Sequence, residues 1–278
     1  MGCLTVYLFS MVFFPNAKIN LGLNIVEKRA DGYHNIESVF MPIPIYDALE
    51  ITENSTETIF SSSGIPIPDN GEPNLVERAW LLLKEEFDIP TVDLDLLKKI
   101  PIGAGLGGGS ADAASCILGL NKIFNLKITE EKLSTIASKL GADCAFFIKN
   151  KPVFAEGVGD QFTPIEVNLK GKHFVVIYPN IHVSTPEAYK HVKPRGVGKS
   201  IKEILKQPVK SWKGELINDF EYSVFQQYPF IQEVKNELYS NEAIYASLSG
   251  SGSTVFGVFD EKPEITFSKE VQRWDFNL

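Results

Sequence analysis

The sequence predicts an α+β protein of two modest domains, residues 11–168 and 169–278. Three observations carry this expectation. At 278 residues the chain exceeds one small core and falls short of three. From Val12 to Ile51 it sets short β-branched and aromatic runs between breaks at "RADGYHN" and "PIPIYD". After "GK" at 171 and 172, a natural boundary, a strand-like "HFVVIYP" is followed by helical segments and by two apolar runs around a glycine turn in "YASLSGSGSTVFGVFD", without internal repeat or low-complexity tract.

Each element has its own signal. "VFFPNAKINLGLNI", behind Met11, reads as a strand-like run. Residues 1 to 10 are apolar but lack a basic n-region and an Ala-x-Ala-like cleavage site and are too short to span a bilayer, so they are expected to be an upstream-start or expression remnant. Residues 61 to 74 form a turn-dense loop ending at Asn74, a fitting N-cap for "LVERAWLLLKEEF". "VDLDLLKKI" reads as a strand. Ala113, Ala114, Ile117, Leu118 and Phe124 line one face of the next helix. "TEEKLSTIASKL" starts at a Thr cap and ends where Gly141 suits a C′ glycine. "PVFAEGVGDQFTPIEV" reads as a hairpin, and "TPEAYKHV", "SIKEILKQ" and "PFIQEVKNELYS" as helices.

The composition is that of a globular protein, 44% hydrophobic and 22% charged. With 27 basic against 35 acidic residues the net charge is −8, which argues against nucleic acid and against an anionic membrane as partners. An anionic substrate would need a local basic pocket. Cys3, Cys116 and Cys144 fit no metal or disulfide spacing, so a reducing cytoplasm is expected. His34, His173, His182 and His191 form no ligand motif.

The chemistry gathers at "PIGAGLGGGSADAA", residues 101 to 114. Gly103, Gly105 and Gly108 satisfy G-x-G-x-x-G between a strand and a helix. A dinucleotide site also needs a second parallel strand carrying an acid about 20 residues on, and here the chain runs helix, "NLKI", helix. A Walker A loop needs Gly-Lys-Ser/Thr, but Gly109 is followed by Ser110, and no lysine or arginine occurs from Pro101 to Asn121. What remains is a run of backbone N–H groups at a helix N-terminus, for which phosphate is the natural guest. A tight packed turn explains one or two glycines. It explains "GLGGGS" poorly, since each glycine costs about 0.5–1 kcal/mol relative to alanine.

This loop resembles the central motif of the GHMP kinases, the superfamily of galactose, homoserine, mevalonate and phosphomevalonate kinases. "PNAKINLGL" (15 to 23) resembles its N-terminal motif and "SLSGSGSTVFGVF" (247 to 259) its C-terminal one. "RADGYHNIESVF" (29 to 40), "LGADCAFF" (140 to 147) and "NDFE" (218 to 221) resemble a branch that serves the non-mevalonate route to isoprenoids and whose acceptor joins a cytidine diphosphate to a polyol. The resemblance implies a two-domain fold, with a left-handed βαβ unit in an N-terminal ATP-binding domain and a ferredoxin-like C-terminal domain. It also implies an ATP-dependent alcohol kinase using Mg²⁺, whose metal ligands and oligomeric state the sequence leaves unassigned.

Carried over by position, Asp143 matches the catalytic aspartate and Lys18 the lysine paired with it; from local pattern alone Asp143 reads as an N-cap and Lys18 as a solvated strand residue. Pro101, Gly103, Gly105, Leu106, Gly107, Gly108, Gly109, Ser110 and Ala111 would hold ATP, with Asn74 and Lys98 near the adenine. The bland readings of those two are a helix cap and a strand-edge lysine. Asn20 and His34 match positions that hold the substrate and read the cytosine. Tyr33 and Tyr189 would stack on it, core packing being the other reading of Tyr189. Gly250, Ser251 and Gly252 would lie on the substrate side, although a plain hairpin turn would look alike. The alternatives are a kinase of homoserine or mevalonate type, a nucleotide-binding module without catalysis, and a dinucleotide oxidoreductase. "DGYH" speaks for a nucleobase against the first, and the presence of Lys18 and Asp143 against the second.

Overall fold

A computed structural model describes residues 10–54, 56–69, 71–190, 192 and 199–278. The readings placed on residues 1–9, including Cys3, and on His191 lie outside the described residues. In chain order the elements are β1 (Ser10–Phe13), β2 (Asn16–Lys28), β3 (His34–Tyr46), β4 (Ala48–Glu53), β5 (Ile59–Gly64), α1 (Leu75–Phe87), β6 (Val92–Lys98), α2 (Gly108–Ile123), α3 (Glu130–Ser138), α4 (Cys144–Lys149), β7 (Val153–Glu156) and β8 (Gln161–Pro164). There follow β9 (His173–Tyr178), α5 (Thr185–Tyr189), α6 (Ile201–Leu205), α7 (Phe220–Gln227), α8 (Pro229–Ser240), β10 (Tyr245–Leu248), β11 (Val255–Phe259) and β12 (Gln272–Asn277).

Contacts group the chain into two compact units, each discontinuous in sequence. The first comprises residues up to Ala17, Tyr46–Ile102 and Gly108–Asn150; the second Lys18–Ile45, Gly103–Gly107 and Lys151–Leu278. The expected division at 168/169 runs along the chain, whereas these units interleave.

In the first unit the sheet order is β1-β4-β6-β5, with β5 and β6 parallel and joined through α1. Asn74 caps α1 in a complete capping box: its Oδ1 accepts from the N–H groups of Val76 and Glu77 at 2.8 and 3.2 Å, and Glu77 accepts from the Asn74 N–H at 2.9 Å. Helix α2 lies close on the sheet because residue 119 is glycine. A Cβ there would stand 2.6 Å from Ile51 of β4 and 2.8 Å from Phe13 of β1.

In the second unit the sheets run β2-β3-β7-β8 and β10-β11-β9-β12. Strand β9 pairs on both sides and is buried over its first five residues, as its unbroken apolar run demands. Its Val175 and Ile177 share a core with Leu23 and Ile25 of β2, Phe220 of α7, Ile231 of α8 and Val255 of β11.

Several expectations change. The run from Met11 is two strands of different sheets, parted at Phe14 and Pro15. "PIPIY" is no break: β3 continues through it, with Met41, Ile43 and Ile45 buried and Pro42 and Pro44 on the other face, beyond the stretch that pairs with β7. The buried face of α2 is broader than expected and includes Ala111, Asp112, Cys116 and Leu120, while Leu118 is only half-buried. Thr129 caps α3, but that helix ends at Ser138 with right-handed backbone at Lys139, so Gly141 is not its C′ residue. Helix α7 and strand β12 carry no signal in the sequence reading.

Candidate active site

The glycine loop is divided between the units, Gly103–Gly107 belonging to the second and the residues from Gly108 to the first, and its glycines have separate reasons. Gly103, Gly105 and Gly107 have φ of +65°, +78° and +71°, a backbone side chains resist. At Gly105 a Cβ would also fall 2.0 Å from the Ser249 carbonyl oxygen. At Gly108 it would meet Ile100 and the Lys98 ammonium at 2.8 Å. Four glycines are thus demanded by the protein's own packing, more than a plain turn was expected to need. Gly109 is the exception. The nearest atom to a Cβ there is Leu75 Cδ1 at 3.5 Å, ordinary contact.

In the first unit the loop becomes helix at Gly108, and the first turn of α2, with Gly109, Ser110 and Ala111, holds no acidic residue. Beneath it lies a buried ionic group. Lys98 of β6 is 3% exposed, donates to Asp47, and stands 3.0 Å from Asp112. This revises the strand-edge reading of Lys98. β6 lies between β4 and β5, so it is no edge strand, and the ammonium is turned inward between two carboxylates. Asn74 is likewise occupied by its capping box, its Nδ2 donating to Glu77 at 2.7 Å. Asp143 stands at the N-cap position of α4, half-buried, with right-handed backbone (φ −72°, ψ −18°) and no side-chain capping bond, so capping does not account for its carboxylate. The adjacent Cys144 thiol is pushed up by burial, although Ser110 hydrogen-bonds to it.

In the second unit Lys18 is 4% exposed and points inward. Its ammonium donates to Asn20 Oδ1 at 2.7 Å and lies 4.8 Å from the centre of the Phe40 ring, and its N–H donates to Leu106 O at 2.9 Å. The solvated reading of Lys18 therefore fails. Asn20, 1% exposed, donates through Nδ2 to Ser38 at 2.9 Å, so its amide is held between Lys18 and Ser38. The second glycine turn is more than a plain hairpin. Ser249 Oγ donates to Gly105 O at 2.9 Å, Thr254 N–H donates to Ala104 O, and a Cβ on Gly250 would stand 3.3 Å from Gly105 Cα. Ser251 shares a 3.1 Å hydrogen bond with Thr185, and Gly252 has φ of +87°.

Sequence reasoning left the work of "NDFE" unread. Asn218 Nδ2 donates to the carbonyls of Leu248 and Gly250, both at 2.8 Å, Asp219 accepts from the Ile25 N–H, and Glu221 accepts from the Leu248 N–H. That segment holds the second glycine turn against β2. The clue was its three polar residues at the start of a helix, since buried polar side chains are kept where backbone groups need partners.

"DGYH" forms the turn from β2 to β3, closed by the Arg29 N–H donating to Tyr33 O at 2.8 Å. The Tyr33 ring is 64% exposed. The His34 ring stacks on Tyr189, with centroids 4.6 Å apart and planes 17° from parallel, and Tyr189 meets Phe220 edge-on at 4.8 Å. Burial, and then the charge of Lys28, lower the His34 pKa, which keeps its imidazole neutral near pH 7. Tyr189 thus has both a core contact and an aromatic partner, and that partner is His34, not a face left open.

Two family models match the chain. That for the GHMP kinases N terminal domain matches residues 74–151, and that for the GHMP kinases C terminal matches residues 201–274. The chain is 56% identical to a 4-diphosphocytidyl-2-C-methyl-D-erythritol kinase of Bacteroides fragilis, over 92% of this chain and 94% of that one. Among solved structures, a 4-(cytidine 5'-diphospho)-2C-methyl-D-erythritol kinase is similar with a TM-score of 0.74 and 32% identity, over 89% of this chain and 90% of that one. A homoserine kinase from Cytophaga hutchinsonii shares the fold, with a TM-score of 0.70 and 18% identity over 94% and 88% of the two chains. In sequence and in fold, the chain belongs to the GHMP kinase family.

Proposed function

We propose that this GHMP kinase transfers the γ-phosphoryl group of ATP to the 2-hydroxyl of 4-diphosphocytidyl-2-C-methyl-D-erythritol, giving the 2-phosphate and ADP. The observation that carries the choice of acceptor is the "DGYH" turn, which sets the exposed Tyr33 next to a His34 backed by Tyr189. Flat rings and a neutral imidazole suit a cytosine, whose faces stack and whose edge offers hydrogen-bonding groups. Homoserine and mevalonate have neither. The names of the similar kinases point the same way, and the isoprenoid pathway follows from that acceptor.

In this reading the first turn of α2 receives the polyphosphate, because its N–H groups and the helix dipole favour an anion. Asp143 accepts the proton of the hydroxyl and Lys18 supplies charge to the reacting oxygens. The second glycine turn, with Ser251, and Tyr33 belong to the acceptor side. Mg²⁺ on the polyphosphate would supply charge neutralisation. Among the described residues no group of three or more His, Cys, Asp or Glu side chains is gathered to hold a metal. No described helix is long and apolar enough to cross a membrane.

The test is ADP release in a coupled assay. Turnover is expected with the cytidine diphosphate substrate and none above background with homoserine or mevalonate; the reverse pattern overturns the assignment. Gly109 gives a sharper check of the phosphate turn. It is a helical glycine without crowding, so Gly109→Ala is expected to raise stability by up to ~1 kcal/mol. The same change should weaken ATP binding by about tenfold, the equivalent of one lost contact of ~1.4 kcal/mol. Melting temperature and ATP KM should therefore both rise. An unchanged KM would remove Gly109 from the phosphate site.

A further inference from the structure

A helix terminus that binds anions gains nothing from a second negative charge buried beneath it, yet α2 has a carboxylate in that place. Asp112 is the fifth residue of α2 and 1% exposed. Its Oδ2 lies 3.0 Å from the Lys98 ammonium, while its Oδ1 has no hydrogen-bond partner among the described residues. The same ammonium donates to Asp47 Oδ2, and Asp47 Oδ1 accepts from the Lys99 and Ile100 N–H groups at 2.5 and 2.8 Å. Asp47 is therefore fully met, and Asp112 holds only part of one cation. The position of a Cβ on Gly108 is 2.8 Å from Lys98 Nζ, so the cluster sits directly under the first residue of the helix. With all three groups ionised it carries one net negative charge.

Among the described residues the surroundings supply no other counter-charge. The charges that act on Asp112 are those of Lys98 and Asp47. Further along α2 the Cys116 thiol is pushed far up by burial and stays protonated. From α4 comes Cys144, also raised, with Asp143 and with Arg78 of α1 acting on that thiol. The buried residues of α1 are Val76, Ala79 and Leu83, and those of α3 are Leu133, Ile136 and Ala137. β1 and β4 bring Phe13 and Ile51 against α2.

We propose that Asp112 takes up a proton when the polyphosphate of ATP binds at the first turn of α2, so that the Asp47, Lys98 and Asp112 cluster is neutral in the bound state and ATP affinity is linked to pH. The inference rests on the ATP reading above. Burial has already pushed the Asp112 carboxyl up to about 7 against the opposing pull of Lys98. At ~1.5 Å of rise per residue, Asp112 lies about 6 Å along the axis from Gly108, a range at which charges in a protein interact strongly. The approach of several phosphate charges then raises the carboxyl further. Asp112 acts through Lys98 and the helix start, and is a positioning residue.

Calorimetric titration with ATP, in buffers of differing ionisation enthalpy from about pH 6 to 9, counts the protons taken up. The wild type is expected to take up more protons than Asp112→Asn, the excess rising towards one as the pH passes 7. Above that pH the wild-type Kd should rise relative to the variant by up to ~tenfold per pH unit, the limit for one linked proton. Asp112→Asn carries the neutral isostere and the same nucleotide and buffer protons, so the difference belongs to Asp112. Infrared difference spectra of the wild type give a second readout: a carboxylic-acid C=O stretch should appear when ATP is added near pH 8. Equal proton uptake by the two proteins, or no such band, overturns the inference while leaving the kinase reading intact. Failure of the wild type to bind ATP overturns both.

Discussion

Asp143→Asn and Lys18→Met are each expected to lower turnover by at least ~10²-fold, the lower range for a positioned acid-base group, with the fold intact. Asparagine keeps the shape of aspartate but cannot take a proton from the acceptor hydroxyl. Asp143 makes no capping bond, so its replacement removes no cap from α4. Methionine keeps the apolar stem of Lys18 beside Phe40 and removes only the ammonium. It does leave Asn20 Oδ1, buried, without that donor, an effect worth about 1–3 kcal/mol. Lys18→Met should thus be less stable as well as slow. Single-turnover rates with bound ATP, read beside melting curves, separate the two. Near-normal turnover in either variant would take that residue out of the chemistry.

Lys98→Met is expected to destabilise the protein by about 3–5 kcal/mol, since removing one partner of a buried ion pair strands the other. Here two carboxylates are stranded, although the main-chain N–H groups of Lys99 and Ile100 still serve Asp47. Denaturant midpoints check the value. Asp112→Asn combined with Lys98→Met should be less harmful than the sum of the two, because Asp112→Asn removes one of the charges that Lys98→Met strands. A loss below ~1 kcal/mol for Lys98→Met would mean that the cluster contributes little. The intact cluster has its own pH signature. Asp112 is raised in the folded state, so between the ordinary aspartate value and about 7 the folded chain holds a proton that the unfolded chain has released. That contribution is full at low pH and fades as pH climbs through this window. Asp112→Asn should show no such decline.

Much of the fold was legible because local pattern sufficed. Asn74 announces α1 through its own capping box, β9 reads as a buried strand from an unbroken apolar run, and the glycines at 103, 105 and 107 mark a backbone that needs positive φ. What was not legible depended on partners far along the chain. A lysine at the end of β6 looks like any strand lysine until Asp47, fifty-one residues earlier, is found against it. That Asn20 braces Lys18 shows only when Lys18 and Ser38 are found on its amide. β12 lacks a buried face of its own, with no residue of Gln272–Asn277 fully buried, and exists because β9 offers it an edge. The motifs reported the site's membership well; its internal wiring belongs to the tertiary structure.

The interleaved division of the chain bears on how the protein is made. Residues 18–45 leave the ribosome early and carry Leu23, Ile25 and Ile36, yet the partners that cover them, Val175, Ile177, Phe220, Ile231 and Val255, come only after residue 150. For the synthesis of more than a hundred residues this apolar hairpin waits uncovered, the condition in which nascent chains aggregate or recruit chaperones. Cutting the gene after Asn150 or after Asn168 would yield a fragment with the hairpin but without its cover. Complementation would then need the two pieces to meet during synthesis, because neither alone can close the core that Leu23 and Ile25 begin.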